Sequence, residues 1–244
     1  MRRVLDAVEP PGEAETLFAR LERSFGGGND GGGRELVDRL RASIEQAFPG
    51  EPERQRLLFD PLELALIERR YGDYGVICTR PEPPRAWKHW IHRAAHVFDD
   101  PYEGSHGEGM PRGYVAVRRG WGDPDLLVTR RTPEWAPFFD AMVVPETATL
   151  FVGARDRVVV FSMGADSEPV EHDVMLFWSM ERHADTVVVV AEISVRGFGP
   201  DGSERWNVFA DPPHDVHVED GVVVVHEQLT GATRRHRLDD GASL

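Results

Sequence analysis

The chain has 244 residues, of which 41% are hydrophobic and 29% are charged, and its net charge is −14. This composition is typical of a globular protein with enough residues for one large or two small domains. No apolar run approaches the roughly 20 residues of a membrane-spanning helix. The negative charge argues against nonspecific binding to nucleic acid, because the phosphates would be repelled. We therefore expect neither a membrane nor a nucleic-acid partner.

The lysine and cysteine content limits the kinds of catalytic and metal site that the chain can form. Lys88 is the only lysine among 28 basic side chains, and asparagine is almost absent, a usage typical of a high-GC bacterial genome. Cys78 is the only cysteine, which excludes an internal disulfide and any multi-cysteine zinc site. No secretory signal is visible after Met1, so we expect the protein to be cytoplasmic. A local basic patch could still form around Arg118, Arg119, Arg130 and Arg131.

Hydrophobic residues at helical spacing dominate the first hundred residues. The pattern predicts four helices, which cover residues 13–25, 34–48, 60–72 and 84–98. The third has an Asp-Pro-x-Glu start, in which Asp60 caps the helix and Pro61 occupies its first turn. Residues 26–33 are rich in glycine and predict a flexible linker, since the phosphate-loop ending Gly-Lys-Ser/Thr is missing.

A short strand is predicted over residues 74–79, and from about residue 113 the periodicity changes to that of strands. The first candidates there are residues 114–118 and 126–130, followed by a possible helical turn through Trp135, Phe138 and Phe139. From residue 147 onward the signal is strong, and it predicts strands over 147–152, 157–162, 174–179, 186–195, 205–209, 221–228 and 233–238. Within the longest strand we expect two faces with different residues. One face should carry Val187, Val189, Ala191 and Ile193, and the other Val188, Val190, Glu192 and Ser194.

Short turns join these strands and favour antiparallel pairing, because parallel pairing needs crossovers of a dozen residues or more. The sequence therefore predicts an α+β protein with a helical part over residues 1–100. An antiparallel β-meander would follow over residues 101–244, as a curled sheet, a sandwich or a partly open barrel. The two parts could pack as a single domain.

The densest group of histidines lies in the fourth predicted helix. Trp87, Trp90, Ile91, Ala94 and Phe98 would share one side of that helix, which should pack against the core. His89, His92 and His96 would share the other side, one turn apart, within reach of one divalent metal ion, and Asp99 could complete the ligand set. The alternative is an amphipathic helix whose exposed side happens to carry histidines.

Two further positions are candidates for catalysis. His106 follows Ser105 in the glycine-rich segment 99–113, which could be a catalytic loop or a plain connector. Lys88 could act as a deprotonated amine, but its predicted position away from the core favours an ordinary surface lysine. We therefore expect Lys88→Arg to leave folding and activity nearly unchanged.

Two other motifs favour structural interpretations. Residues 197–202 match Gly-x-Gly-x-x-Gly, yet they lie between strands and predict a hairpin turn, whereas a dinucleotide site needs a strand that leads into a helix. Asp215, His217 and Glu219 would share one face of a strand, either as metal ligands or as the solvated face of an edge strand.

These observations leave two classes of function open. The first is an acidic cytoplasmic binding or accessory protein that engages a protein or a small molecule. The second is a metal-assisted hydrolase or related enzyme built on His89, His92 and His96, with Asp99 or His106 assisting. The binding protein is the simpler hypothesis, because no catalytic motif with specific spacing is present.

Overall fold

The chain divides into two compact units, Met1–Ile67 and Glu68–Leu244. The computed structural model describes residues 49, 68–79, 83–84, 86–99, 112–119, 123–131, 138–164 and 168–244. The predicted helices over 13–25 and 34–48 and the linker 26–33 lie outside these residues. The description of the fold is therefore that of the second unit.

Sixteen strands and one short helix make up the described part of this unit. The first sheet has the order β1-β2-β4-β5-β3, and its strands are β1 Glu68–Tyr71, β2 Tyr74–Thr79, β3 His96–Asp99, β4 Arg112–Arg119 and β5 Leu126–Arg131. The helix α1, Trp87–Trp90, lies between β2 and β3 in the chain. All pairs in this sheet are antiparallel except β3 with β5, which is parallel.

The other three sheets are simple antiparallel meanders in chain order. The second sheet contains β6 Phe139–Val144, β7 Thr149–Ala154, β8 Arg157–Ser162 and β9 Val170–Asp173. The third contains β10 Phe177–His183, β11 Thr186–Ala191, β12 Ser194–Phe198 and β13 Glu204–Phe209. The fourth contains β14 His214–Glu219, β15 Val222–Glu227 and β16 Thr233–Arg237.

The sheets stack face to face in chain order, and a hydrophobic cluster fills each gap. Val115 and Val117 of the first sheet meet Leu150 and Val152 of the second. The second gap is filled by residues such as Phe151 of the second sheet and Phe177 of the third, and the next by residues such as Trp206 and Val223. Successive antiparallel meanders stacked in this way follow the building plan of β-propeller blades.

Aromatic side chains make close contacts across the second and third gaps. Phe177 of the third sheet lies on Gly153 of the second, where a Cβ atom would come within 2.3 Å of its ring. Trp206 of the third sheet donates its indole N–H to the Leu238 carbonyl, just after β16, at 2.8 Å. Within the third sheet, Trp206 also covers Gly197 of the neighbouring strand β12. The contact of Phe177 requires glycine at position 153, so this single residue helps to set the spacing between the second and third sheets.

The α+β prediction is wrong for the described residues, whose regular secondary structure is nearly all strand, with one short helix. The helix predicted over 60–72 is wrong for residues 68–72, because Glu68–Tyr71 is strand β1, which pairs with β2 through a two-residue turn, while residues 60–67 lie outside the described part of the chain. The predicted helical turn at Phe139 is the start of β6. The single curled sheet, sandwich or barrel is also wrong, because the strands form four separate sheets. No helix in the described part of the chain is long and apolar enough to cross a membrane.

Candidate functional site

The histidine segment does not form the predicted helix over 84–98. The helix α1 ends after one turn, and the chain turns into β3, where the His96 amide donates to the Asp125 carbonyl at 3.1 Å. Pairing with β5 satisfies the backbone groups that a longer helix would have satisfied internally. The prediction that the tryptophans pack inward is confirmed for Trp87 and Trp90, which are 7% and 5% exposed. Ile91 was predicted to pack on the same side, and that prediction is wrong, because Ile91 is 44% exposed.

The four candidate metal ligands lie on three different elements. His89 is on α1, His92 is in the following turn, and His96 and Asp99 lie at opposite ends of β3. Asp99 lies 3.8 Å from the Arg112 guanidinium. Among the residues that the structure describes, no group of three His, Cys, Asp or Glu side chains is placed to hold a metal ion. The helical face on which the metal hypothesis depended is absent, and metal binding itself stays a prediction.

The two candidate catalytic residues have different outcomes. Lys88 is exposed on α1, the position in which an ammonium group is ordinarily solvated. His106 lies outside the described residues.

The alternative set of metal ligands, on β14, faces solvent. Asp215, His217 and Glu219 share one exposed face of this edge strand, and Glu219 pairs with Arg235 at 3.3 Å. The shared face is as the sequence predicted.

The basic patch that the sequence allowed does not form, because Arg118, Arg119 and Arg130 have acidic partners. Arg118 makes a two-pronged ion pair with the buried Glu68, at 2.9 and 3.1 Å. Arg130 lies 3.6 Å from Glu171 of the second sheet. Arg118 and Arg130 are buried, so they serve the packing of the sheets.

A cleft of about 230 Å³ lies between the first and second sheets and is the best-formed candidate site. Strand ends and turns from five strands line it: Tyr74, Ala95, His96, Val97, Phe98, Arg119, Asp125, Leu126, Phe161, Ser162, Met163, Gly164 and Pro169. Its lining surface is mainly apolar. Ligand sites of this kind combine an apolar floor with a few polar groups that fix orientation.

The floor of the cleft is aromatic and rigid. The rings of Phe98 and Phe161 meet edge to face, with centroids 5.2 Å apart. Leu126 and Phe161 are each 7% exposed, so they belong to the core as well as to the cleft. Because core packing fixes these side chains, the cleft is formed in advance of any ligand.

One arginine side chain, Arg119, lies at the rim of the cleft. The Arg119 guanidinium lies over the Tyr74 ring, 5.3 Å from its centroid, and its side chain is 58% exposed. The Asp125 carboxylate lies 3.8 Å from the Arg119 Nε atom and also accepts the Arg119 backbone N–H at 3.0 Å. The loose ion pair leaves guanidinium N–H groups available to an incoming anion.

Sequence reasoning missed this site, apart from His96, because its residues come from five separate places in the chain. The signals that were available are the positions of Tyr74, Arg119 and Leu126 at the ends of predicted strands. Without the pairing order β2-β4-β5-β3, nothing brings these ends together.

Burial shifts the pKa of Cys78 in the first sheet and of His172 in the second. Burial raises the pKa of the Cys78 thiol to about 12, against a smaller lowering by Arg69. A thiol in this state is not a nucleophile at neutral pH. Burial also lowers the pKa of His172, while Glu204 at 3.6 Å acts in the opposite direction.

No protein-family model and no curated protein matches this chain. Among solved structures, AztD from Citrobacter koseri is similar with 11% identity and a TM-score of 0.37, over 73% of this chain and 57% of that one. KlHsv2 with a loop replaced by a Gly-Ser linker has 12% identity and a TM-score of 0.32, over 54% and 44% of the two chains. This chain thus spans less than two thirds of the length of either, and the likeness defines no function.

Proposed function

We propose that this protein is a binding or accessory protein whose partner places an apolar group in the cleft and a carboxylate on Arg119. The observation that supports the proposal is the pairing of a preformed aromatic floor, Phe98 with Phe161, with a single exposed guanidinium at the rim. The partner can be a small molecule or part of a protein. Cys78 as the lone thiol suits a reducing cytoplasm, which completes the proposal.

The size of the cleft limits what it can hold. At about 230 Å³ it is smaller than the pockets of roughly 300–1,000 Å³ that enclose drug-sized ligands. One aromatic ring or branched alkyl group suits this space. A ligand of that size gains most of its affinity from burial of the ring, and a charged hydrogen bond to Arg119 then fixes its orientation.

The proposal is tested with phenylacetate as the probe and phenylacetamide as its neutral match. We expect phenylacetate to bind more tightly, with saturation-transfer NMR signals from the ring and a dissociation constant measured by calorimetry. In Arg119→Gln the affinity for phenylacetate should fall about tenfold, because a hydrogen bond to a charged group is lost. The affinity for phenylacetamide should change little.

Arg93→Gln is the matched control. Arg93 is also exposed, lies 3.5 Å from Asp123 and does not line the cleft, so its loss should leave binding unchanged. Equal binding of phenylacetate and phenylacetamide, or equal losses in the two arginine variants, would contradict the role of Arg119. Absence of any ring signal from either probe at millimolar concentration would contradict the cleft as a binding site.

A further inference from the structure

We propose that the cleft binds a free α-amino acid with an aromatic or branched apolar side chain. The side chain of the ligand enters the cleft, its α-carboxylate binds Arg119, and its α-ammonium group binds Asp125. This inference rests on the proposed function and specifies the ligand, since it adds a second charged contact beside the first.

A carboxylate lies next to the Arg119 guanidinium at the rim of the cleft. Among the lining residues that the structure describes, Arg119 is the one arginine, Asp125 is the one carboxylate, and no lysine is present. The Asp125 Oδ2 atom lies 3.8 Å from the Arg119 Nε atom. Charged hydrogen bonds of this kind are shorter, at about 2.7–2.9 Å. The two charges are therefore adjacent without being tightly joined, and each is available to a ligand group of opposite charge.

The backbone holds Asp125 in place. Its N–H donates to the Val117 carbonyl at 2.8 Å, and its carbonyl accepts the His96 N–H at 3.1 Å. Its Oδ2 atom accepts the Arg119 backbone N–H at 3.0 Å. The Oδ1 atom accepts no hydrogen bond from the residues that the structure describes, and the side chain is 40% exposed. Asp125 thus offers one positioned carboxylate oxygen to a cation at the rim.

A simple anion on Arg119 meets two unfavourable charges. The Asp125 carboxylate competes for the same guanidinium and repels a second carboxylate at this short distance. The whole chain also carries a net charge of −14, which disfavours the approach of an anion. A zwitterion has no net charge, and its ammonium group is attracted by Asp125. Asp125 is therefore the residue that favours a zwitterion over an anion.

An α-amino acid has the arrangement of groups that this pair of side chains requires. Its ammonium and carboxylate groups are bonded to one carbon atom, so they stay adjacent, as the charges of Arg119 and Asp125 do. Its side chain leaves from the same carbon and can enter the cleft of about 230 Å³. The last residue of a peptide has no ammonium group on that carbon, and the first residue has no carboxylate there. The arrangement therefore favours the free amino acid over either end of a peptide.

The ligand is tested by calorimetry of the full chain with L-phenylalanine and four analogues that each lack one feature. The compound 3-phenylpropanoate lacks the ammonium group, N-acetylphenylalanine has a neutral amide in its place, and phenylalaninamide lacks the carboxylate. Each should bind about tenfold more weakly than phenylalanine, because one charged hydrogen bond is lost. L-Alanine keeps both charges but buries little apolar surface, so it should also bind at least about tenfold more weakly.

Asp125→Asn tests the acidic contact. The asparagine side-chain oxygen can still accept the Arg119 backbone N–H, so the variant should melt like the parent protein. We expect it to lose about tenfold in affinity for phenylalanine, because the ammonium group loses its charged acceptor. Its affinity for 3-phenylpropanoate should be equal or higher, since the repulsion between two carboxylates is removed.

Asp123→Asn is the matched control. Asp123 is also exposed, lies 3.5 Å from Arg93 and does not line the cleft. Its replacement should leave the affinities for phenylalanine and 3-phenylpropanoate unchanged. Equal losses of phenylalanine affinity in the two aspartate variants would overturn the role of Asp125.

The remaining outcomes separate this inference from the proposed function. If N-acetylphenylalanine or phenylalaninamide binds as tightly as phenylalanine, the ligand is a peptide terminus and this inference fails. If phenylacetate binds through Arg119 but phenylalanine binds no more tightly than 3-phenylpropanoate, the proposed function stands and this inference fails. If none of these compounds binds, both fail.

Discussion

The first and third sheets differ in how far apart their strands lie in the sequence. The third sheet uses four consecutive strands within residues 177–209, each joined to the next by a short turn. The first sheet draws on residues 68–131 and brings β3 to its edge after β5, in parallel. The alternation of buried residues in the third sheet could be predicted from the sequence, because its strands are consecutive. The first sheet, whose strands are not in chain order, carries the candidate site.

Their interiors differ in chemistry as well. In the third sheet, Val187 and Val189 pack against the second sheet while Val188 packs against the fourth, so both faces are hydrocarbon. The first sheet has an apolar inner face, but its other face buries the ion pair of Glu68 and Arg118.

The largest expected effect is the loss of an aromatic side chain from the third sheet. Phe177 is fully buried against Gly153, so Phe177→Ala should reduce the free energy of unfolding by about 3–5 kcal/mol. Phe98→Ala in the first sheet should cost less than half of that, since Phe98 is only partly buried. Urea unfolding measures both, and equal losses would remove the contrast between the sheets.

The buried ion pair should give the next largest effect. Glu68→Gln removes the buried carboxylate that pairs with the Arg118 guanidinium, and we expect a loss of about 3 kcal/mol in unfolding free energy. Arg93→Gln, which breaks the exposed pair with Asp123, should change it by less than about 0.5 kcal/mol. A similar, small change in both variants would mean that Glu68 is solvated and that the first sheet has no special interior.

Equivalent two-residue turns of the two sheets should respond in opposite directions. Gly72 and Ala184 each begin a hairpin turn with positive φ, at 58° and 54°. We expect Ala184→Gly to stabilise the third sheet by about 0.5–1 kcal/mol, because it relieves the left-handed conformation. Gly72→Ala should destabilise the first sheet by about 1–2 kcal/mol, since its Cβ would also come within 3.3 Å of Pro145. Melting temperatures that move the same way would refute the shared turn geometry.

The smallest effect concerns pH and belongs to the borders of the third sheet. Burial lowers the pKa of His214, against the Asp211 backbone and the carboxylates of Asp215 and Glu227. Its ring stacks on Trp178, with centroids 4.9 Å apart. The unfolded chain takes up the proton near pH 6.5, while the folded state resists until a lower pH. The stability that His214 contributes is therefore present above pH 6.5 and is lost as the pH falls below it.

His214→Phe checks this sign. Urea midpoints at pH 7.5 and pH 5.5 should lie closer together in the variant than in the parent protein. His172, whose pKa burial also lowers, should behave in the same direction at the border of the second and third sheets. A larger pH dependence in His214→Phe would show that the imidazole is charged when folded.

Several strands could be predicted from sequence because their signals are local. The bounds of β2 and β8 were predicted as observed, over residues 74–79 and 157–162. The alternation of Val187 and Val188 between two faces is confirmed. The single strand over 186–195 is wrong, because the chain turns at Glu192 and Ile193, residues without turn chemistry, and β12 begins at Ser194.

Polar or short strands were not predicted from the sequence. The sequence Val-Glu-His-Asp of β9 has no apolar alternation, and β9 pairs with β8 through its backbone. Its Glu171 and His172 also contact Arg130 of the first sheet and Glu204 of the third. β1 and β3 were taken for helix, since arginines, histidines and scattered apolar residues also fit a helical period. In both, backbone pairing with a partner strand outweighed that weak preference.

Composition and turn residues by themselves determined that this is an acidic globular chain rich in antiparallel hairpins, because hydrophobic alternation and turn geometry act over a few residues. The tertiary structure alone decided that the strands divide into four stacked sheets and that β3 ends at an edge. It also decided that His96 and Arg119 share a cleft while His89 and His92 stay outside it. These outcomes depend on which strands pair across tens of residues of sequence. The free energy that favours one pairing over another comes from burial of side chains between sheets, and a local sequence pattern does not contain it.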